Sequence, residues 1–289
     1  MLQHIPVLLK EVVTTLSPVE NGIYFDGTFG GGGYTKAILD AANCKVIAVD
    51  RDSHVKPLAE KFKSIYGERF DFFHAKFSDI KSILKPNKKI DGIVLDLGVS
   101  NFQLMDPSRG FSFNAPGPID MQMGLCNKTA LDVIQKNSER NLADIIYKFG
   151  NEHFSRRIAK NIKMNLKNIR NTEDLANVIR SCVKKRGKID PATKTFQALR
   201  IFVNEELSEL EKILHDSVEV LNTNGRITVV SFHSLEDRLI KLFFRDLISW
   251  NNHSKFKLLT KKPITPSAME ISSNHRSRSA KLRGIYMLQ

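Results

Sequence analysis

One stretch constrains this chain more than any other. Ile23-Tyr24-Phe25-Asp26 runs directly into Gly27-Thr28-Phe29-Gly30-Gly31-Gly32-Gly33-Tyr34. A short apolar run ending in an acid, then four consecutive glycines, reads as a parallel strand turning into a helix. Residues without a Cβ let the backbone approach a ligand closely. The next apolar run, Lys45–Asp50, also ends in an acid. In a doubly wound sheet, a carboxylate there accepts both hydroxyls of a bound ribose. The Gly30-to-Asp50 spacing suits a dinucleotide equally, so spacing does not choose the ligand. Two other features do. The dinucleotide pattern GxGxxG is absent, because Thr35 stands where Gly30-x-Gly32 requires the third glycine. Asp26, at the end of the first run, fits a ligand carrying an ammonium group. Both favour S-adenosylmethionine over a nicotinamide dinucleotide, and the ordered set argues against a bare glycine turn with a surface acid.

Three more runs read as strands: Phe70–His74, Gly92–Asp96 and Arg226–Phe232. Helical patterns fall between them at Tyr34–Ala42, Ser53–Tyr66, Glu205–Leu221 and Ser234–Ile248. Leu207, Leu210, Leu214, Val218 and Leu221 make one apolar stripe. Asn224-Gly225 is expected to stop that helix and turn the chain into the fifth strand. Strand–helix alternation of this kind implies a doubly wound α/β sheet. The alternation breaks between Pro116 and Asn204, where helical patterns (Thr129–Gln135, Leu142–Phe149, Glu152–Asn165, Thr172–Lys185) occur without a strand. The expected organisation is therefore a sheet domain over 1–115 and 205–289, with an inserted helical subdomain over 116–204. The polar stretch Asn251–Asn274, with Pro263 and Pro266, reads as a mobile loop.

Composition decides what class of chain this is. Of 289 residues, 42% are hydrophobic and 26% charged, enough apolar material for a folded core. No run approaches the roughly 18 apolar residues of a membrane helix. The start, Met1-Leu2-Gln3-His4-Ile5-Pro6, lacks the pattern of a signal peptide. Cys44, Cys126 and Cys182 form neither a CxxC pair nor a disulfide framework, so no metal is expected and a cytoplasmic location is. The net charge of +13 is clustered. Residues 155–188 hold eleven Lys/Arg against two Asp/Glu, and residues 255–283 eight against one. Such clustering suggests a polyanionic partner. Few aromatics are interleaved in either segment, so no stacking platform is signalled there.

The fourth strand ends in Asp96-Leu97-Gly98-Val99-Ser100-Asn101-Phe102-Gln103. Ligands sit outside the carboxyl ends of such strands, which places Asp96 over the cofactor and Ser100, Asn101 and Gln103 near the transferred group. Further on, Arg109 is a candidate for a phosphate contact. Phe111 and Phe113 are candidates to stack on an extruded base. Residue type alone equally allows them to be core aromatics, the favoured reading for one of the two.

These blocks resemble a known family: the bacterial 16S ribosomal RNA methyltransferases of the MraW type, which modify the N4 amine of a cytosine in the decoding region. The resembling blocks are His4–Glu11, Phe25–Tyr34, Asp91–Gln103, Asp106–Phe113, Gly117–Met123, Phe149–Ala159, Asp190–Leu207, Ser231–Lys241 and Asn274–Arg283. They cover essentially the whole chain in order. The resemblance implies a class I methyltransferase fold and S-adenosylmethionine as donor, with an inserted helical domain that helps hold RNA. It also implies cofactor contacts at Gly32, Gly33, Tyr34, Asp50, Phe77, Asp96 and Gln103, to which the loop adds Asp26 and Gly30. Arg156, Arg157 and Arg200 join Arg109, Phe111 and Phe113 as expected substrate contacts. Four positions depart from the family pattern: Tyr34 stands for a His, Asn101-Phe102 for Ser-Pro, Gly124 for an Asp and Asp190 for a His.

An exocyclic cytosine amine is a poor nucleophile. Methylating it requires an acceptor for an N–H and in-line placement, with no covalent intermediate. Carbon methylation requires a cysteine, and the loop after the fourth strand has none. The candidate acceptors are Asn101, Ser231 and His233. For His233, capping the helix that follows is an equal alternative. The expected function is thus methyl transfer to N4 of a 16S rRNA cytosine on the small ribosomal subunit, by a monomer or homodimer. The alternatives are an amino-methyltransferase of another nucleic acid and a silent RNA-binding assembly factor.

Overall fold

The computed structural model describes residues 6–184, 189–249 and 255–289. Seven strands form one sheet: β1 Ile23–Asp26, β2 Lys45–Asp50, β3 Phe70–His74, β4 Ile90–Asp96, β5 Leu221–Ser231, β6 Phe256–Leu258 and β7 Lys281–Met287. The helices up to β4 are α1 Leu9–Leu16, α2 Gly33–Ala41, α3 Lys56–Tyr66 and α4 Ile80–Ile83. Between β4 and β5 come α5 Asn101–Met105, α6 Ala130–Lys136, α7 Glu139–Gly150, α8 Ser155–Met164, α9 Thr172–Cys182, α10 Ala192–Asn204 and α11 Glu206–Val220. The chain finishes with α12 Ser234–Ser249 and α13 Ala268–Ser273 around the last strands. It divides into two compact units, 1–98 with 207–289 and 99–206.

In the first unit the strand order is β3-β2-β1-β4-β5-β7-β6. Pairings from β3 through β5 are parallel, and β7 runs antiparallel to both β5 and β6. This is the sheet of a class I methyltransferase. The period of two in the strands builds both faces. Val46 and Ala48 pack with Val12, Ile38 and Phe62 on one side. Ile47 and Val49 pack with Ile80, Leu214 and Ile240 on the other. A sheet buried on both faces explains why its central strands are unbroken apolar runs. The order reverses between β1 and β4, which is where a doubly wound sheet opens a crevice.

The structure moves several expected boundaries. The helical unit starts at Val99, not Pro116, because Phe111 and Phe113 pack into its core and Met121 N–H bonds Arg109 O at 3.1 Å. Asn224-Gly225 does not end α11. Leu221 already pairs with Ile90, while Arg226 pairs with Gly92. The extra residues loop out around Asn224, whose φ is +65°. The stretch read as a loop contains β6, a bridge between Ile264 and Leu282, and α13. Residues 251–254 lie outside the described residues. β6 is three residues long, and in β7 the partly exposed Lys281 and Arg283 alternate with buried Leu282 and Gly284 for only four residues, so neither stands out as an apolar run; pairing along β7 makes both.

In the second unit, α10 carries an apolar stripe through Phe196, Leu199 and Val203 and also buries Ala198 and Ile201 on its other sides. Phe196, Leu199 and Val203 join Leu142, Ile146, Ile158, Ile162, Leu175 and Ile179 from α7, α8 and α9 in one core.

Candidate active site

The glycine loop is held from below by aromatic packing. Phe29 is buried, with its ring 5.2 to 5.6 Å from those of Phe62, Phe70 and Phe72. Gly32 has φ +72°, and a Cβ there would fall 2.5 Å from Phe62 Cζ. Only glycine allows α2 to start there. Gly30 differs: its φ is +48°, and a Cβ would meet nothing nearer than Thr28 O at 3.7 Å. The backbone at Gly30 therefore borders open space, the cradle a ligand needs.

Acids close the loop from three strand ends. Asp26 is fully buried; Oδ1 accepts the Thr28 N–H at 3.0 Å and Oδ2 the Thr35 hydroxyl at 2.7 Å. Burial, with the nearby Asp50 charge adding, pushes its pKa up to about 6 against these hydrogen bonds. Asp50 Oδ2 accepts the Gly30 N–H at 2.8 Å and Oδ1 the Asp52 N–H at 2.9 Å. Burial raises its pKa as well. Both carboxylates thus brace the loop itself, a scaffolding role the sequence reading did not foresee. Asp96 is different. Its N–H donates to Thr28 Oγ1 at 2.7 Å, but its buried Oδ1 has no partner among the described residues. Burial and the charges of Asp26 and Glu236 hold its pKa well above the ordinary range. An orphaned buried carboxylate oxygen at the reversal point, beside an open glycine cradle, fits a ligand that brings donors and positive charge.

The other expected cofactor residues have clear partners. Phe77 packs against the sheet core, and its Cβ would lie 3.0 Å from a Cβ on Gly27. Tyr34 is buried, and its hydroxyl donates to Val7 O. Gly33 is pressed from the same side, where a Cβ would strike Pro6 Cγ at 2.1 Å. The Tyr that replaces His therefore ties the N-terminal segment down. Gln103, in the helical unit, uses its carboxamide oxygen to accept the Ser100 N–H at 3.0 Å, closing a capping box at the start of α5. Asn101 opens that helix, and its side chain lies outside the described residues.

The two candidate acceptors at the end of β5 have partners within the protein. Ser231 is buried, and its hydroxyl faces Lys281 O at 3.4 Å, across the sheet. His233 caps α12: Nδ1 accepts the Glu236 N–H at 3.3 Å, and Glu236 Oε2 accepts the N–H groups of Phe232 and His233. Its Nε2 lies 3.1 Å from Glu236 Oε1. Both ring nitrogens therefore face Glu236. Asp237 bonds both Arg283 at 2.7 Å and Lys281 at 2.8 Å, which lowers its pKa against burial and removes two charges from the second basic segment.

In the helical unit the expected substrate contacts sort into two groups. Arg200 makes a bidentate pair with Glu206 at 2.8 Å on both arms, an internal lock. Arg109 Nη2 donates to Gln122 O at 3.0 Å. Phe111 is buried in the core, and Phe113 sits edge-on to Phe196 at 4.8 Å. Lys163 Nζ donates to Ile134 O and Gln135 O, capping the end of α6. These side chains hold the fold, and the two aromatics are core aromatics. Arg156, Arg157, Lys160 and Lys184 remain exposed, with Arg157 reaching Cys182 O at 3.3 Å. Lys185 and Arg186 lie outside the described residues. Asn204, missed by sequence reading, is buried and bonds Met121 O at 2.7 Å and Met123 N at 2.8 Å, fixing the segment after Gly117. Its only sequence signal is an amide closing the apolar run Ile201-Phe202-Val203.

A family model described as the MraW methylase family matches residues 1–287. The chain belongs to the MraW methylase family. As a member it is a methylase, and S-adenosylmethionine is its methyl donor. A protein from Ehrlichia canis named ribosomal RNA small subunit methyltransferase H is 48% identical over 98% of this chain and 99% of its own. A protein of the same name from a Wolbachia of Drosophila simulans is 48% identical over 99% of this chain and all of its own. Among solved structures, a putative rRNA-methylase from Clostridium thermocellum aligns at TM-score 0.49 and 11% identity, over 100% of this chain and 99% of that one.

Proposed function

We propose that this methylase transfers a methyl group to the N4 amine of a cytosine in small-subunit ribosomal RNA. The relatives' names supply the ribosomal RNA. The observation that carries the choice of atom is Asp96, whose buried Oδ1 has no partner among the described residues at the end of β4. An amine needs an acceptor for its N–H, and the unpartnered Asp96 Oδ1 offers one when the carboxyl is ionised beside the cofactor's positive charge. Bound S-adenosylmethionine supplies an electrophilic methyl on a sulfonium. In this reading Gly30 and the loop bind the cofactor, Asp50 takes its ribose hydroxyls, and Asp26 faces its ammonium group. The exposed cations Arg156, Arg157, Lys160 and Lys184 meet the RNA backbone.

The cysteines have other surroundings. Cys44 is buried with Sγ 3.4 Å from Ile38 O, and Cys126 Sγ lies 3.1 Å from Asn204 Oδ1. Cys182 Sγ lies 3.3 Å from Ile179 O, and burial raises its thiol pKa despite the nearby Arg157, opposite to the shift of a nucleophilic thiol. The test is methyl transfer from labelled S-adenosylmethionine to naked 16S rRNA, 30S particles and 70S ribosomes, followed by nucleoside mass spectrometry, with wild type and a Cys-free variant. N4-methylcytidine from both proteins is expected. Detection of 5-methylcytidine, or a stable Cys-free protein that binds both substrates without turnover, overturns the reading. Replacing Cys44 by Ala costs about 1 kcal/mol of stability, as for a small buried apolar residue.

A further inference from the structure

The second unit carries an aromatic surface that no sequence window revealed. Tyr147 on α7 is 55% exposed. Its ring lies 6.2 Å from that of exposed His153, at 64° between planes. Phe154 follows, also exposed. Exposed aromatics this close together need a reason, because nothing in the unit's own core uses them.

The turn that presents them is fixed. Asn151 ends α7 in the left-handed region with φ +49°, and its N–H bonds Tyr147 O at 2.9 Å. Its carbonyl accepts Lys194 Nζ at 3.1 Å. Glu152 is buried, and its Oε1 accepts the Phe154 N–H at 2.9 Å. His153 is thus displayed between two anchored neighbours, so little conformational freedom is lost when a ligand lands on it.

Positive charge continues from this point. Arg156 and Lys160 are one helical turn apart on α8, and His153 stands three residues before Arg156. Both cations are exposed and have no acidic partner among the described residues. Lys148, next to Tyr147, is exposed too. An aromatic face that leads into a row of unneutralised cations is the combination that holds single-stranded nucleic acid. Bases stack on the rings, and the backbone tracks the charges.

We infer that Tyr147 and His153 form a stacking platform for an unpaired nucleotide of the RNA substrate, with its backbone running along Arg156 and Lys160. The inference rests on the RNA-binding reading of this unit and adds to it that the bound strand is unpaired here. Phe111 and Phe113, the aromatics expected to stack, are in the core, and this pair takes that role.

The experiment uses the full-length protein and two fluorescein-labelled probes, a twelve-nucleotide single-stranded RNA and the same strand paired in a duplex. Tyr147→Ala should weaken the single strand roughly tenfold, within the range for losing one stacked base, and leave the duplex nearly unchanged. Tyr147→Phe should retain wild-type affinity. The salt slope of Tyr147→Ala should stay at the wild-type value, since no charge is lost, while Arg156→Ala should lower it by about one. In a Trp250→Phe background, which removes the single native tryptophan, Tyr147→Trp should show emission quenched by the unlabelled single strand. The inference is overturned by single-strand affinity unchanged in Tyr147→Ala, by equal losses on both probes, or by emission from Tyr147→Trp that does not respond to the strand. A variant with Arg156, Arg157 and Lys160 all changed to Glu separates the two readings. If it still binds RNA, the interface itself is wrong; if it loses RNA while Tyr147→Ala does not, only the platform is wrong.

Discussion

The glycine-loop end of the sheet unit and the α7–α8 face of the helical unit solve opposite problems. At the first, the polar groups are bonded to one another, Asp96 Oδ1 excepted. Asp26 holds Thr28 and Thr35, and Asp50 holds Gly30 and Asp52. At the second, Arg156 and Lys160 stand in solvent without acidic partners among the described residues. The first arrangement suits one small ligand, because geometry is fixed before binding and screening by salt is weak. The second suits a long polyanion, whose affinity comes from many solvated charges and the release of counterions. The two regions should therefore answer to different variables, pH for the loop and salt for the helical face.

The largest expected effect breaks that comparison on the helical side. Changing Arg156, Arg157 and Lys160 together to Glu should lower RNA affinity by at least about a hundredfold at 0.1 M salt and leave cofactor titration calorimetry unchanged. Wild-type RNA affinity should fall steeply with salt and cofactor affinity only slightly. Parallel losses of both would mean a folding defect and erase the distinction.

On the sheet side, Asp26 gives the next effect. Its folded pKa of about 6 stands above the 3.8 of an exposed aspartate, so between those values the native state holds a proton that the unfolded chain has lost. Its contribution to stability is full below about pH 4 and declines as pH rises through about 6, by on the order of 3 kcal/mol. Denaturant melts of Asp26→Asn should show a smaller decline than wild type, since Asp50 and Asp96, raised in the same direction, still contribute. Affinity for the cationic cofactor should move the other way and rise with pH, because the ionised carboxylate favours positive charge. A decline in Asp26→Asn as large as in wild type would show that Asp26 has no part in it.

The smallest effect sharpens the same side. Asp50→Ala should weaken cofactor binding by about 1.5–3 kcal/mol, roughly ten- to a hundredfold, and leave the RNA salt slope unchanged. Since Asp50 also accepts the Gly30 N–H, some of that loss should appear as faster amide exchange at Gly30 without cofactor. Protected exchange at Gly30 together with unchanged affinity would remove Asp50 from the site.

Much of the cofactor end was legible because its signals are local. Strand, acid, glycines and acid lie within one stretch of chain, and a parallel strand buried on both faces must be continuously apolar. The family blocks added the methylase and its donor. The sequence could not show which polar side chains face inward, since an Arg looks the same whether it meets a phosphate or a buried Glu206. Arg200, Arg109 and Lys163 were read as charge and turned out to be struts.

By itself, then, the sequence determined the doubly wound sheet, its ligand-binding end and a basic helical insertion, because period, glycine and charge density act over a few neighbouring residues. Tertiary structure alone decided the rest. It paired β6 and β7 into the sheet, placed Phe111 and Phe113 in a core and left Tyr147 and His153 outside it. It left Asp96 Oδ1, alone among the loop's acids, with an oxygen that has no partner among the described residues. Burial and hydrogen-bond partners are set by residues distant in the chain, and no local pattern encodes them.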